Sequence, residues 1–450
     1  MAKGPSARAV ALEVLLQINR DGAYANLALP VALSSSTLDE RDRALVTEMV
    51  YGSLRREGEL DAVIAEGAGR QPSTLEADVL AIARLGVYQL LYMRIPSHAA
   101  VDESVRLAKA SGLQRAAGFL NGLLRGITRK PPEYWTGIIE EDTGSFHSHP
   151  PWIAREIERA LETCEVAEDL GAVLDAHNEP PRVTLVHLPG LSEPTENPTP
   201  YSPLGSVLSG GNPATVAGVA QGWIRVQDEG SQLAALMLSR VEKLHEGDSL
   251  LDMCAGPGGK TAVLAAEASK AHAVVTAWEK APHRARLVEQ SVAGVLAHNP
   301  SVVNVVVGDA KVLTDPRPGF TRVLVDAPCS GLGALRRRPE ARWRKSFDDL
   351  AELVALQKDL LTRALDLCAP GGYVAYVTCS PVVAETTEVV DAVLVARHDA
   401  ILVDTPSVLD RVARRPVMGA RRGSAVQLWS VTHGTDAMFV QLIQRVSSVG

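Results

Sequence analysis

The alternation of apolar and polar positions divides the chain into two regimes. Up to about residue 135 the apolar positions recur at helical spacing. Ala7, Val10, Val14 and Ile18 share one face, which Leu15 and Leu16 widen. The spacing predicts a second helix over Asp39–Arg55, carrying Leu45, Met49 and Leu54. Ser73-Thr-Leu-Glu76 reads as a capping box opening a long apolar helix through Leu90 and Leu91. Beyond the break at Ile95-Pro96-Ser97, further helices are predicted over Val101–Ala108 and Ala116–Ile127.

From Asp248 onward the period changes. Short β-branched runs at Ser249–Met253, Val274–Trp278, Val302–Val307, Val323–Val325 and Tyr373–Val377 alternate with helical stretches at Lys260–Ala271, Pro282–Leu296 and Phe347–Leu367. Continuous apolar runs closed by breakers suit strands buried on both faces, and this rhythm predicts a doubly wound, mostly parallel sheet. Between the two regimes, Ser148-His-Pro-Pro-Trp152 opens a helix over Ile153–Leu161, and His147 and His149 read as turn residues. Arg182–Val186 and Trp223–Asp228 read as strands, Ser231–Leu238 as a helix, and Pro189–Pro213 as loop. The expected architecture is an all-α domain over 5–135, a linker with a small α+β module over 136–246, and an α/β Rossmann-like domain over 247–450.

Composition narrows the class. At 450 residues, 46% hydrophobic and 22% charged, the chain is long enough for two or three cores. No 18-residue uncharged apolar run appears and the first residues lack the apolar core of a signal peptide, so a cytoplasmic protein without a membrane span is expected. Five scattered cysteines suggest reduced thiols rather than a disulfide framework, and no spacing among them suits a metal. The net charge of −8 does not point to nucleic acid, but phosphate contact depends on local patches and not on the sum.

Candidate chemistry lies at the strand ends, where open α/β sheets gather their ligands. Arg322-Val-Leu-Val-Asp-Ala-Pro-Cys-Ser-Gly-Leu-Gly333 is a strand ending in Asp326 with Cys329 on the loop beyond. Gly372-Tyr-Val-Ala-Tyr-Val-Thr-Cys379-Ser-Pro381 is another strand ending in a thiol. Asp252-Met-Cys-Ala-Gly-Pro-Gly-Gly-Lys-Thr261 follows the first strand and opens a helix, so its glycines let backbone approach a ligand. It is neither a Walker loop nor Gly-x-Gly-x-x-Gly. Glu279 ends the second strand, placed for ribose hydroxyls, and Asp309 follows the third, placed for an adenine amino group. Acids in register with a glycine loop point to an adenosine-type cofactor.

Two strand-end thiols favour S-adenosylmethionine over a dinucleotide. Carbon 5 of cytosine is too electron-poor to attack a sulfonium methyl until a thiolate adds at carbon 6. The reaction then needs a nucleophile, an acid near nitrogen 3 and a group aiding elimination. Cys379, Cys329 and Asp326 supply these types, and the residues alone leave open which thiol attacks. Cys164 and Cys368 read as small core hydrophobes.

These motifs resemble the Sun/Nop family of RNA cytosine-5 methyltransferases. The N-terminal part resembles a NusB-like module through Ala7-Arg8-Ala9-Val10, Asp39-Glu40-Arg41-Asp42-Arg43, Val50-Tyr51-Gly52, Ile95-Pro96-Ser97-His98 and Phe119-Leu120-Asn121-Gly122-Leu123-Leu124-Arg125. Together they resemble the bacterial RsmB/Sun (Fmu) branch, which modifies small-subunit ribosomal RNA. The resemblance implies Cys379 as nucleophile, Cys329 in product release, and Asp326 facing both base and cofactor. It implies cofactor contacts from Cys254, Ala255, Gly256, Pro257, Gly258, Gly259, Lys260, Glu279 and Asp309. The sequence departs from the family at Gly256, where alanine is usual, and at Glu279, where aspartate is commoner. Asp436-Ala-Met-Phe439 stands where Asp-Gly-Phe-Phe is usual.

After the Cys329 loop comes a basic run in which Arg336, Arg337, Arg338, Arg342, Arg344 and Lys345 are expected to contact RNA phosphates, with Trp343 available for stacking. A second cluster, Arg411, Arg414, Arg415, Arg421 and Arg422, reads as a loop. A monomer is expected, with no metal. The same chemistry on transfer RNA or DNA, or a NusB-like binding factor without activity, are the alternatives; no DNA-reading insert is visible.

Overall fold

The computed structural model describes residues 6–141, 148–164, 169–194, 196–312 and 319–447, and His147 lies outside them. The chain forms two compact units. One comprises residues 1–155, 174–180 and 335–344, and the other 156–173, 181–334 and 345–450.

The first unit is helical. Helices Ala7–Asp21, Ala25–Ser35, Glu40–Arg55, Glu57–Ala68, Ala77–Leu91, Ser97–Ala110, Ala117–Thr128 and Pro132–Glu141 surround one apolar core. Ser6 caps the first helix at the N–H of Ala9, and Asp39 caps the third at the N–H of Asp42, each satisfying a donor the helix start leaves free. Ser73 and Glu76 do not form the expected capping box. Pro72–Thr74 is a separate 3₁₀ turn and Leu75 is extended and buried, so the helix begins only at Ala77 with Glu76 as an unbonded cap. Burial of Leu75 outweighs a local cap.

Residues 335–344 complete this unit, and they correct the RNA-contact expectation for part of the basic run. Arg342 is fully buried. Its guanidinium donates to the carbonyls of Arg55 (3.0 Å), Ser148 (2.9 Å) and His177 (3.3 Å) and to Asn178 Oδ1 (2.8 Å). Arg336 is buried as well, its carbonyl accepting from Arg55 Nε. Arg344 donates to the carbonyls of Ile18, Gly22 and Ala23 at the end of the first helix, where a cation is favoured. Arg338 and Trp343 are exposed, and Arg337 and Lys345 partly so. His149, expected in a turn, is buried against His177 at 3.2 Å.

The second unit is built on two sheets. Strands β1 (Thr184–His187), β2 (Gly205–Val207) and β3 (Ile224–Val226) form a small antiparallel sheet in the order β2-β1-β3. The large sheet contains β4 (Ser249–Asp252), β5 (Val274–Glu279), β6 (Val303–Val307), β7 (Phe320–Asp326), β8 (Cys368–Thr378), β9 (Ala400–Leu402), β10 (Arg421–Arg422), β11 (Ala425–Gln427) and β12 (Phe439–Arg445). Its order is β10-β11-β12-β8-β7-β4-β5-β6, with β9 paired to β12. Strands β4 to β8 run parallel, and β12 lies antiparallel on β8. Val323, Leu324 and Val325 are fully buried, each side chain contributing about 1.5–3 kcal/mol. The 246/247 boundary is not a break in the core: Val186, Leu188 and Leu233 pack in one cluster with Leu250, Val275 and Ala375. Cys368 caps the helix Asp349–Leu367 and opens β8, buried as expected. Among the described residues, no helix is long and apolar enough to cross a membrane.

Candidate active site

Strand order reverses at β4, which sits between β5 and β7, so the loops beyond these strands open a crevice at a topological switch point. Backbone bonds hold the strand ends in register: Met253 N–H donates to the Leu324 carbonyl at 3.0 Å, Ala255 N–H to that of Trp278 at 3.0 Å, and Ala327 N–H to that of Val377 at 2.9 Å.

Beyond β7 and β8 the two thiols meet. Cys329 Sγ lies 3.4 Å from Cys379 Sγ, though fifty residues separate them in sequence. The hydrogen bond with Cys379, together with burial, pushes the Cys329 thiol well above the ordinary range. Lys260 Nζ, at the start of the helix Gly259–Ala271, is 2.8 Å from Asp326 Oδ2. Burial disfavours the lysine charge, but Asp326 and then Cys379 override it and leave Lys260 above its usual value. Asp252, at the end of β4, is fully buried and accepts from Thr261 Oγ1 at 2.7 Å. Desolvation raises its pKa to about 7.

The glycine loop packs against the helix Pro282–Leu296. Gly258 has φ +101°, and a side chain there would run into the backbone of Val288. Ser291 Oγ donates to the Pro257 carbonyl at 2.7 Å. Glu279, buried at the end of β5, accepts from the N–H groups of Gly256 and Ala281, both at 2.9 Å. Asp309 lies 2.9 Å from Lys280, which holds its carboxyl below the usual range. Cys254 is half-buried, and burial pushes its thiol up.

These residues fit an adenosine-bearing sulfonium. An ionised carboxylate has about four lone-pair sites. Glu279 uses one on each oxygen for backbone N–H groups, which leaves acceptors for two ribose hydroxyls. The loop at 256, 258 and 259 carries no side chain that would keep a ligand from the backbone. The structure thus brings Cys329 together with Cys379, Lys260 with Asp326, and Glu279 with the glycine loop. Asp309 stands apart on the half-exposed edge beyond β6.

Sequence reasoning missed two buried carboxylates here. Asp252 opens the glycine motif, and its signal in the sequence is an acid closing an apolar strand. Glu385 carried only the weak signal of one charge within Pro381-Val-Val-Ala-Glu-Thr-Thr387. It is fully buried and bonded to Ser330 and Ser380. The second arginine cluster braces this unit's own backbone: Arg411 donates to the Val241 carbonyl, Arg414 to that of Ser202, and Arg422 to that of Pro381, while Arg421 pairs with Asp404.

A mixed sheet with a parallel core and its switch point at β4, a glycine loop and acids at successive strand ends defines a Rossmann-like methyltransferase. Residues 240–444 match the family described as 16S rRNA methyltransferase RsmB/F, and residues 5–129 match the NusB family. A protein of Mycobacterium tuberculosis named as a methyltransferase is 42% identical over 98% of this chain and 97% of its own. Ribosomal RNA small subunit methyltransferase B of Pseudomonas putida is 34% identical over 86% of this chain and 88% of its own. The crystal structure of PH0851 shares the fold, with TM-score 0.77 and 20% identity over 98% of this chain and all of that one. The chain belongs to the RsmB/F family of rRNA methyltransferases, carries a NusB-family domain, and uses S-adenosylmethionine as its methyl donor.

Proposed function

We propose that the protein methylates carbon 5 of a cytosine in small-subunit ribosomal RNA through a covalent cysteine adduct. The observation that carries this reading is the 3.4 Å approach of Cys329 and Cys379 in the crevice that also holds the Lys260–Asp326 pair. A lone buried thiol is ordinary, but two strand-end thiols in contact beside a salt-bridged acid suit an addition–elimination sequence.

Cys379 gives up its proton to the base, and its sulfur forms a bond to carbon 6. Nitrogen 3 takes up that proton, and the Asp326 carboxylate, held by Lys260, accepts the hydrogen bond of the resulting N–H, which neutralises the charge displaced into the ring. Bound in the crevice, the cofactor would supply an electrophilic methyl group for carbon 5, its sulfur leaving as a neutral thioether. The carbon-5 proton then leaves to solvent, the C5=C6 bond re-forms, and the Cys379 sulfur departs with its electron pair and recovers the proton from nitrogen 3. Cys329, in contact with Cys379, assists that release. Glu279, Asp309 and the loop from Cys254 to Lys260 hold the cofactor. Arg337, Arg338, Trp343 and Lys345 are the members of the basic run that offer surface to RNA phosphates and bases.

The test uses labelled S-adenosylmethionine and unmodified small-subunit ribosomal RNA with wild type, Cys379→Ala and Cys329→Ala. The expected result is 5-methylcytosine with wild type only, and a denaturation-resistant protein–RNA adduct accumulating with Cys329→Ala. An adduct that instead requires Cys329 exchanges the two thiol roles. Wild type that methylates transfer RNA but not ribosomal RNA overturns the substrate assignment.

A further inference from the structure

Beneath the two thiols lies a polar cluster that the chemistry above does not use. Glu385, in the 3₁₀ turn Val383–Glu385, is fully buried, as are Ser380 and Gln357, and Ser330 nearly so. Four donors converge on its carboxylate. Oε1 accepts from the Ser330 N–H at 2.7 Å and from Gln357 Nε2 at 3.1 Å. Oε2 accepts from the hydroxyls of Ser330 and, at 2.7 Å, Ser380. Those donors fill the lone-pair sites a carboxylate has, so the group is buried without an unmet acceptor.

The partners are not arbitrary positions. Ser330 follows Cys329 directly, and Ser380 follows Cys379 directly. Gln357, besides meeting Glu385, donates to the carbonyl of Pro328 at 2.8 Å, the residue before Cys329. The Cys329 loop is therefore bound on both sides of its thiol, and the Cys379 loop on its far side. Glu385 is itself fixed, because Tyr376 of β8 donates its hydroxyl to the Glu385 carbonyl at 2.7 Å. Ser330 Oγ and Ser380 Oγ lie 3.1 Å apart, parallel to the sulfur contact one residue earlier.

We propose that Glu385 is a positioning residue that ties the Cys329 and Cys379 loops to each other and so sets the spacing of the two thiols. It touches neither base nor cofactor; it acts through Ser330 and Ser380. For the reaction this deepens the methyltransferase reading above and rests on it, whereas the spacing of the thiols does not. A carboxylate is suited to this place because one rigid group accepts from backbone and hydroxyl donors of both loops at once. Glutamine can keep the arrangement, with its oxygen on the amide side and its NH₂ facing hydroxyls that turn to accept. Alanine cannot.

The test reads thiol spacing directly. Full-length wild type, Glu385→Gln, Glu385→Ala and, as the control without a pair, Cys379→Ala are treated with dibromobimane, which fluoresces once one molecule has alkylated two neighbouring thiols. Bridging of Cys329 to Cys379 is confirmed by peptide mapping. The expected result is bridging in wild type and Glu385→Gln, and a fall of about tenfold or more in Glu385→Ala at unchanged circular dichroism. Ser380→Ala, which removes one link, is expected to fall between, and serves if Glu385→Ala does not fold. In methyl transfer, Glu385→Ala should lower kcat on the order of 10²-fold, the usual effect of a misplacement near 1 Å, while KM for S-adenosylmethionine stays within about twofold. Bridging at the wild-type rate in Glu385→Ala, or in Ser380→Ala where that variant serves, overturns the proposal, as does Glu385→Gln failing as fully as Glu385→Ala. Wild type that bridges normally but transfers no methyl group removes the proposed reaction and leaves the positional role standing.

Discussion

Glu279 and Gly256 occupy one space: the glutamate carboxylate accepts the Gly256 N–H at 2.9 Å and stands where a side chain at 256 would begin. The two departures from the family pattern near the cofactor loop are thus neighbours. The longer acid fills the room that an alanine methyl would take.

Compensation follows from that overlap. Gly256→Ala alone should displace Glu279 and weaken S-adenosylmethionine binding, and Glu279→Asp alone should lose the reach to Gly256. The double variant should recover part of the loss, with a coupling of about 0.5–3 kcal/mol, as for residues in contact, because Arg284 Nε and Cβ also stand 2.8 and 3.0 Å from a methyl at 256. Calorimetric affinities for the four proteins measure it, and strictly additive losses would count against it.

Gly258 has no such remedy. Its φ of +101° is open to glycine, and a Cβ would stand 2.8 Å from Val288 Cα, which is backbone and cannot swing away. Gly258→Ala is expected to cost about 1–3 kcal/mol of strain and to weaken cofactor binding. Thermal unfolding with and without cofactor reads both; an unchanged melting temperature together with unchanged affinity would contradict the loop geometry.

Asp252 gives a pH dependence with a definite sign. Burial raises its pKa from 3.8 to about 7, so the folded state holds its proton more tightly than the unfolded chain does. Its contribution is full below about pH 4 and is lost as pH climbs to 7, at about 1.4 kcal/mol per pH unit crossed. Asp252→Asn removes that dependence. Relative to wild type, the variant should therefore gain stability between pH 4 and pH 8 in denaturant titrations; a constant difference across that range would be the contrary result.

Arg342 and Arg338, four residues apart, should separate stability from RNA binding. Arg342→Ala leaves three carbonyls and the Asn178 amide without their buried donor, at about 1–3 kcal/mol for each group left unmet. The helical unit should lose several kcal/mol. Arg338 is exposed, so Arg338→Ala should change stability by no more than about 0.5 kcal/mol and flatten the salt dependence of RNA binding. Filter binding across salt concentrations, beside denaturation, distinguishes the two.

Much of the fold was legible because its signals are local. Pro282–Leu296 is a helix over the range its spacing predicts, and β4 to β8 lie where apolar runs meet breakers. The helices Ala25–Ser35 and Glu57–Ala68 were not legible. Pro30 lies inside the first and Gly58 and Gly67 inside the second, and core burial of Leu29, Leu60 and Ile64 overrides that poor propensity. The antiparallel strands β9 to β12 are two to seven residues long, too short for most of them to show a period.

Which residues sit at strand ends can be read along the chain, because a run and its breaker are adjacent in it. Glu279, Asp326, Cys329 and Cys379 are thereby placed at one edge of a mostly parallel sheet. What meets what across the fold cannot be read that way. The 3.4 Å thiol contact, the Ser330–Glu385 bond beneath it and the Arg342–Arg55 bond join residues 50 to nearly 300 positions apart. Separations of that kind are fixed by the register of strands and the packing of helices, and no local pattern carries them.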